Sequence, residues 1–124
     1  MGVKRLDELV AFKEAVAFKV EAYAIVRRSA LAERDYRFRD QLFDAASSVE
    51  ANIAEGWRRF GAADMIRFFR YASGSLEEAR VRLLDGVDRG YFTRDSCENA
   101  LSHAARCGAA LTNFIKSLSK TTAK

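Results

Sequence analysis

A chain of 124 residues, 49% hydrophobic and 31% charged, with seven glycines and no proline, can bury roughly two-thirds of its unfolded surface without staples, and long helices are its natural reading. Its 21 Lys and Arg against 17 Asp and Glu leave a net charge of +4, too small a total to identify a polyanion-binding protein by itself. The opening MGVKRLDELVAF has no apolar run of the signal-peptide kind, Leu6 breaks the myristoylation pattern, and the apolar run Ala22 to Val26 falls far short of a membrane span; the expectation is a soluble, cytoplasmic protein without a membrane partner.

The first helix is expected over 6–28, burying Leu9, Phe12, Val16, Val20, Tyr23 and Val26 at spacings of three and four. A short connector, 29–34, follows, with Leu31 as its anchor. The second helix, 35–59, carries the stripe Phe38, Leu42, Ala45, Ala46, Val49 and Ile53, and Phe60-Gly61 turns the chain. In the third helix, 62–89, Met65, Phe69, Ala72, Leu76, Ala79, Leu83 and Val87 fall on one line close to a heptad. Gly90 fits a helix stop and Thr93 a cap for the fourth helix, 94–119, which presents Cys97, Leu101, Ala104, Gly108, Leu111, Ile115 and Leu118. Short connections between long helices favour antiparallel neighbours, so the expected fold is all-α: one domain, 1–124, forming an up-down-up-down four-helix bundle. Cys97 and Cys107 lie about 15 Å apart along one helix, too far for a disulfide, and read as reduced core residues.

One edge of the second helix departs from a plain bundle pattern. Ser48, Asn52, Glu55 and Arg59 share a face beside the apolar stripe, with Glu55 and Arg59 at ion-pair spacing. Folding the hairpin about Gly61 sets Ser48 near Gly74, Asn52 near Arg70 and Glu55 near Arg67, where the small residues Ala72-Ser73-Gly74-Ser75 permit close approach. The expectation is a polar cluster of Ser48, Asn52, Glu55, Arg67, Arg70 and Ser73 at this helix contact, because a buried polar group left unpaired costs about 1–3 kcal/mol. The other reading is a solvated strip with an incidental ion pair.

The topology gathers charge at one end. Lys4, Arg5, Arg58, Arg59, Arg67, Arg70, Lys116, Lys120 and Lys124 meet there against Asp7, Glu8, Glu55 and Asp64, whereas the opposite end mixes its signs. Lys4, Arg5, Arg58, Arg59, Arg67, Lys116 and Lys120 are the candidate nucleic-acid contacts; the plainer reading is solvated surface charge. Nearby aromatic residues could stack on bases, although packing explains them more simply, and Trp57 and Phe60 are the candidate anchors of an oligomer interface.

No catalytic or metal-binding set is recognised. A di-metal carboxylate bundle needs Glu-x-x-His pairs, and the single histidine, His103, is preceded at three residues by Ala100. His103 with Cys107 supplies only two ligands. No nucleophile has a base in a recognisable arrangement and the glycines form no phosphate loop, so no cofactor is expected. An enzyme or small-ligand protein with a polar site around Asn52, Glu55 and Arg70 is the alternative function.

NIAEG at Asn52 to Gly56, preceded by Gln41-Leu42 and Ala45-Ala46 and followed by Phe68, Ala72 and Gly74-Ser75-Leu76-Glu77, resembles the four-helix bundle proteins encoded by intervening sequences of 23S ribosomal RNA. The resemblance runs from Phe12-Lys13-Glu14-Ala15 through Gly90-Tyr91 to Ile115-Lys116-Ser117-Leu118. Two positions depart from the family pattern: Phe43-Asp44 replaces two basic residues, which weakens any nucleic-acid contact through that helix face, and Leu31-Ala32 replaces a Phe-Pro. The resemblance implies a homopentameric ring without established catalytic activity. Accessory proteins of diversity-generating retroelements, distantly similar and lacking this motif, assist a reverse transcriptase and contact nucleic acid, and such an accessory role is carried here by analogy alone; separately, the charge distribution would give a ring of five basic ends a positive annulus able to hold phosphates, as of RNA, through many weak contacts.

Overall fold

The computed structural model describes residues 5–122. Lys4 and Lys124, both assigned to the basic end from sequence, lie outside the described residues. After a single 3-10 turn, Leu6–Glu8, come α1 (Val10–Arg27), the short α2 (Ala30–Arg34), α3 (Tyr36–Trp57), α4 (Ala62–Asp88) and α5 (Arg94–Thr122). The long helices fall where the periodicity puts them. The first starts later than expected because Leu9 is extended, with φ −73° and ψ 122°.

The connector is not bare coil. Ser29 accepts the Ala32 N–H at 3.2 Å and donates its hydroxyl to the Tyr91 carbonyl at 2.7 Å, which starts α2 and ties it to the α4–α5 turn. Its buried anchor is Ala32; Leu31, expected in that role, stands exposed, because one turn of helix rotates consecutive residues by about 100°. Asp35 then caps α3 by accepting the Phe38 N–H at 3.1 Å. Gly90 ends α4 at φ +78°, a left-handed conformation in which a side chain would be strained. Thr93 accepts the Ser96 N–H at 3.2 Å, capping α5 as expected.

The four long helices pack antiparallel around a square, α1 and α4 each lying against α3 and α5 and standing diagonal to one another. Phe18, Phe69, Ile25, Leu42, Ile53, Leu83 and Leu111 fill the centre. Every residue of the expected α3 stripe is buried, as are Phe69, Ala72, Leu76, Ala79 and Leu83 of α4. On α5 the buried line is Cys97, Ala100, Ala104, Cys107 and Leu111, with Leu101 and Gly108 at its edge.

On α1 the expected stripe is rotated. The core face is Ala11, Ala15, Phe18, Ala22, Ile25 and Val26. Phe12, Val16 and Tyr23 are only half-buried and Val20 is exposed. Tyr23 instead packs sideways on Phe43 of α3, ring centroids 4.3 Å apart. Both cysteines are buried and free. Burial pushes the Cys107 thiol up to about 12, and it stays a thiol, facing the Ala11 carbonyl at 3.4 Å.

Candidate functional site

The α3–α4 seam shows what the NIAEG segment does. Ser48 Oγ meets Ser75 Oγ at 2.9 Å, and Asn52 donates from Nδ2 to the Ser48 carbonyl at 2.9 Å and to Ser48 Oγ at 3.0 Å. Ile53 is core. Glu55 accepts from Arg59 at 2.7 Å, with Arg58 3.6 Å from its other oxygen. A β-carbon on Gly56 would lie 2.9 Å from Cε1 of the buried Phe69 ring and 3.0 Å from Cβ of Phe68. The missing side chain there is what lets α4 close on α3 at this level.

Two members of the expected polar cluster, Ser48 and Asn52, come together, and the other four do not join them. Ser48 and Asn52 are together, but the register is shifted by one residue from the expectation, and one residue turns a helix by about 100°. Ser75 takes the place expected for Gly74. Arg67 pairs with Asp64 at 3.2 Å along its own helix rather than with Glu55. Arg70 is exposed, and no hydrogen bond or ion pair joins it to Asn52 or Glu55. Ser73 donates back to the Phe69 carbonyl at 3.2 Å and lines the α4–α5 side instead. Gly74 has open space around it. Asn52, Glu55 and Arg70 do not converge on a common point.

At the end where α3 turns into α4, arginines interleave with aromatic rings. The Arg59 guanidinium lies 4.5 Å over the Phe68 ring and that of Arg67 lies 4.8 Å from it, while Tyr71 meets Phe68 edge-on at 5.5 Å. These stacks make Arg59 and Arg67 parts of the bundle's own packing as much as surface charges. The signal for this group was the run Phe68 to Tyr71 with an arginine on either side of the Phe pair, although its geometry depends on how the turn folds. Phe60 is fully exposed beside a shallow hollow of about 310 Å³ lined by Glu55, Arg58, Arg59, Gly61 and Asp64. Trp57, paired with it as an interface anchor from sequence, differs: it is half-buried against its own chain's core. Arg5 is held by Asp7 at 2.5 Å. Among the described residues, the exposed cations of this end without so close a carboxylate are Arg58, Arg70, Lys116 and Lys120.

Two further clusters tie helices together. Glu14 of α1 lies 2.6 Å from Nδ1 of His103 and accepts from Arg106 at 3.2 Å, both on α5. The His103 hydrogen bond, aided by Arg106 and opposed by partial burial, holds Glu14 below its ordinary carboxylate value. At the opposite corner Asp35 accepts from the Tyr91 hydroxyl at 2.5 Å and Arg89 at 3.2 Å. Chiefly through the Tyr91 bond and the Phe38 N–H, its carboxyl is lowered too. Among the described residues no group of three His, Cys, Asp or Glu is placed to hold a metal ion, and no helix is long and apolar enough to cross a membrane. His103 and Cys107, considered as two ligands from sequence, instead engage Glu14 and the Ala11 carbonyl.

Residues 7–113 match the family model described as 23S rRNA-intervening sequence protein, a span that takes in the seam, the turn and all but the last part of α5. No curated protein matches the chain.

Proposed function

The chain belongs to the 23S rRNA-intervening sequence protein family, and on that premise we propose that it is a non-catalytic cytoplasmic scaffold that assembles as a ring of five and holds RNA on the rim made by its basic ends. The observation that carries this reading is the polarised end of the bundle. Arg58, Arg70, Lys116 and Lys120 are exposed there, with the fully exposed Phe60. Cations take phosphates and aromatic faces take unpaired bases, which suits a single-stranded or looped RNA. The α3 face that lacks the family's basic pair contributes little to this, since Phe43 there packs on Tyr23 and Asp44 adds negative charge.

The test is fluorescence anisotropy of a labelled single-stranded RNA at low salt, with light scattering for mass. The wild type is expected to run as a five-fold assembly and to bind. A variant carrying Arg58→Glu, Arg70→Glu and Lys116→Glu, chosen because these side chains are exposed and do not stack on Phe68, is expected to lose at least tenfold in affinity, by about 1.4 kcal/mol per decade. Equal binding by wild type and variant, or no binding by wild type at low salt, overturns the RNA role. A monomeric wild type overturns the ring.

A further inference from the structure

A bundle helix ordinarily turns its charges to solvent and its apolar stripe inward. On α1 two of the charges are spent sideways: Glu14 on His103 and Arg106 of α5, and Lys19 on Glu50 of α3 at 2.5 Å. The side facing away from the core is left with Val10 and Val20, 52% and 54% exposed, with Ala17 and Ala24 on the same side. Lys13 and Arg27 are the exposed cations of this face.

The diagonal helix α4 carries a face that matches it. Tyr71 and Val81 are 48% and 52% exposed. Between them lies Gly74, where an added β-carbon would meet nothing within 4 Å, opening a shallow hollow of about 540 Å³ lined also by Glu78, Val81 and Asp85. In each pair the two large residues are ten positions apart, about 15 Å along the axis. Because α1 and α4 are both antiparallel to α3 and α5, they run in the same direction. Laid side by side in that direction, Val10 meets Tyr71 and Val20 meets Val81; Lys13 falls at the Gly74 hollow, Ala17 by Glu78, Ala24 by Asp85 and Arg27 by Asp88. The charges agree where they meet: Arg27 lies by Asp88, and Lys13 enters a hollow whose lining includes Glu77 and Glu78. Glu78 and Asp85 already hold Arg82 and Arg89 at 3.0 and 2.7 Å, and a carboxylate accepts a second cation on its remaining lone pairs.

We propose that the outward face of α1 in one copy packs, in parallel, on the outward face of α4 in the next. This deepens the ring assembly proposed above and rests on it. The two faces are different surfaces at opposite corners of the bundle, so the contact is heterologous: each copy offers one face of each kind, and copies join head to tail rather than pairing about a two-fold axis, closing at five when each contact turns one copy by about 72° on the last. The parallel direction also places every basic end on the same rim.

Heterologous contacts allow a complementation test. Val20→Asp breaks the α1 face and spares the α4 face; Val81→Asp does the reverse. Both positions are half-exposed, and unchanged helical circular dichroism checks that each variant folds. By light scattering at several hundred micromolar, each variant alone is expected to run as a monomer. Their equimolar mixture is expected to form a one-to-one dimer and nothing larger, since only one intact pair of faces remains. Variants that still assemble like wild type, or a mixture that stays monomeric, overturn this pairing of faces while the five-fold mass of the wild type upholds the ring. A monomeric wild type overturns both.

Discussion

Gly56 and Gly74 face opposite circumstances although both stand in long helices. At Gly56 a methyl group would press on the buried Phe69 ring and the Phe68 β-carbon, and overpacking of that kind costs about 1–3 kcal/mol. At Gly74 it would meet open space, and replacing an exposed helical glycine by alanine gains up to about 1 kcal/mol. Urea denaturation at equal protein concentration should therefore move the midpoint down for Gly56→Ala and up for Gly74→Ala; the same sign for both would contradict this account of the seam. The sequence marked both glycines but could not tell them apart, because what opposes each depends on the register of α3 on α4. Acid sensitivity is also a residue-scale property. Glu14 and Asp35 are both held below their ordinary values of 4.5 and 3.8, so each favours the folded state above its unfolded pKa and ceases to as pH falls through its lower folded value. Glu14→Gln should be less stable than wild type at pH 7, and the gap should close toward pH 3. A gap that persists unchanged in acid would mean that the Glu14 contacts do not depend on its charge.

Helices were legible from sequence to the degree that charge brackets their apolar face. On α3 and α4 polar residues flank the stripe on both sides, and the core lines read from spacing are the ones buried, apart from shifts at the ends of α4. On α1 apolar residues occur nearly all round, so periodicity alone does not choose between the line through Phe12 and Val20 and the line through Phe18 and Ile25. Packing against two neighbours decides for the second. The consequence is measurable: Phe18, fully buried, should cost about 3–5 kcal/mol on truncation to alanine, and Phe12, at the α3 side, clearly less. Equal costs in urea denaturation would restore the stripe read from spacing. The polar cluster was legible only in its Ser48–Asn52 part, for a related reason. Ser48 and Asn52 are a local pair four residues apart on one helix, whereas Arg67 and Arg70 needed a register correct to a single residue, and short-range partners such as Asp64 compete for them.

For the whole molecule, the proposed parallel contact between α1 and α4 would link assembly to the proposed RNA binding. One basic end offers few cations not already engaged: Arg59 and Arg67 stack on Phe68 and hold Glu55 and Asp64. A single bundle therefore contacts few phosphates, and with a dependence of log K on log salt of about −0.7 per phosphate for a single strand its binding should be weak and its salt slope shallow. In the proposed ring, five such ends on one rim would hold a long strand at several points, and linked sites raise overall affinity by about 100-fold or more without any new contact. Val20→Asp, which leaves every basic residue in place, should therefore bind a long single-stranded RNA much more weakly than wild type and with a shallower salt slope. The two proteins should differ little on an oligonucleotide too short to reach a second subunit. Anisotropy titrations over a range of salt concentrations, with both lengths of RNA, measure this directly. If Val20→Asp is monomeric yet keeps wild-type affinity and slope on the long strand, the basic end acts alone and the ring adds nothing to recognition.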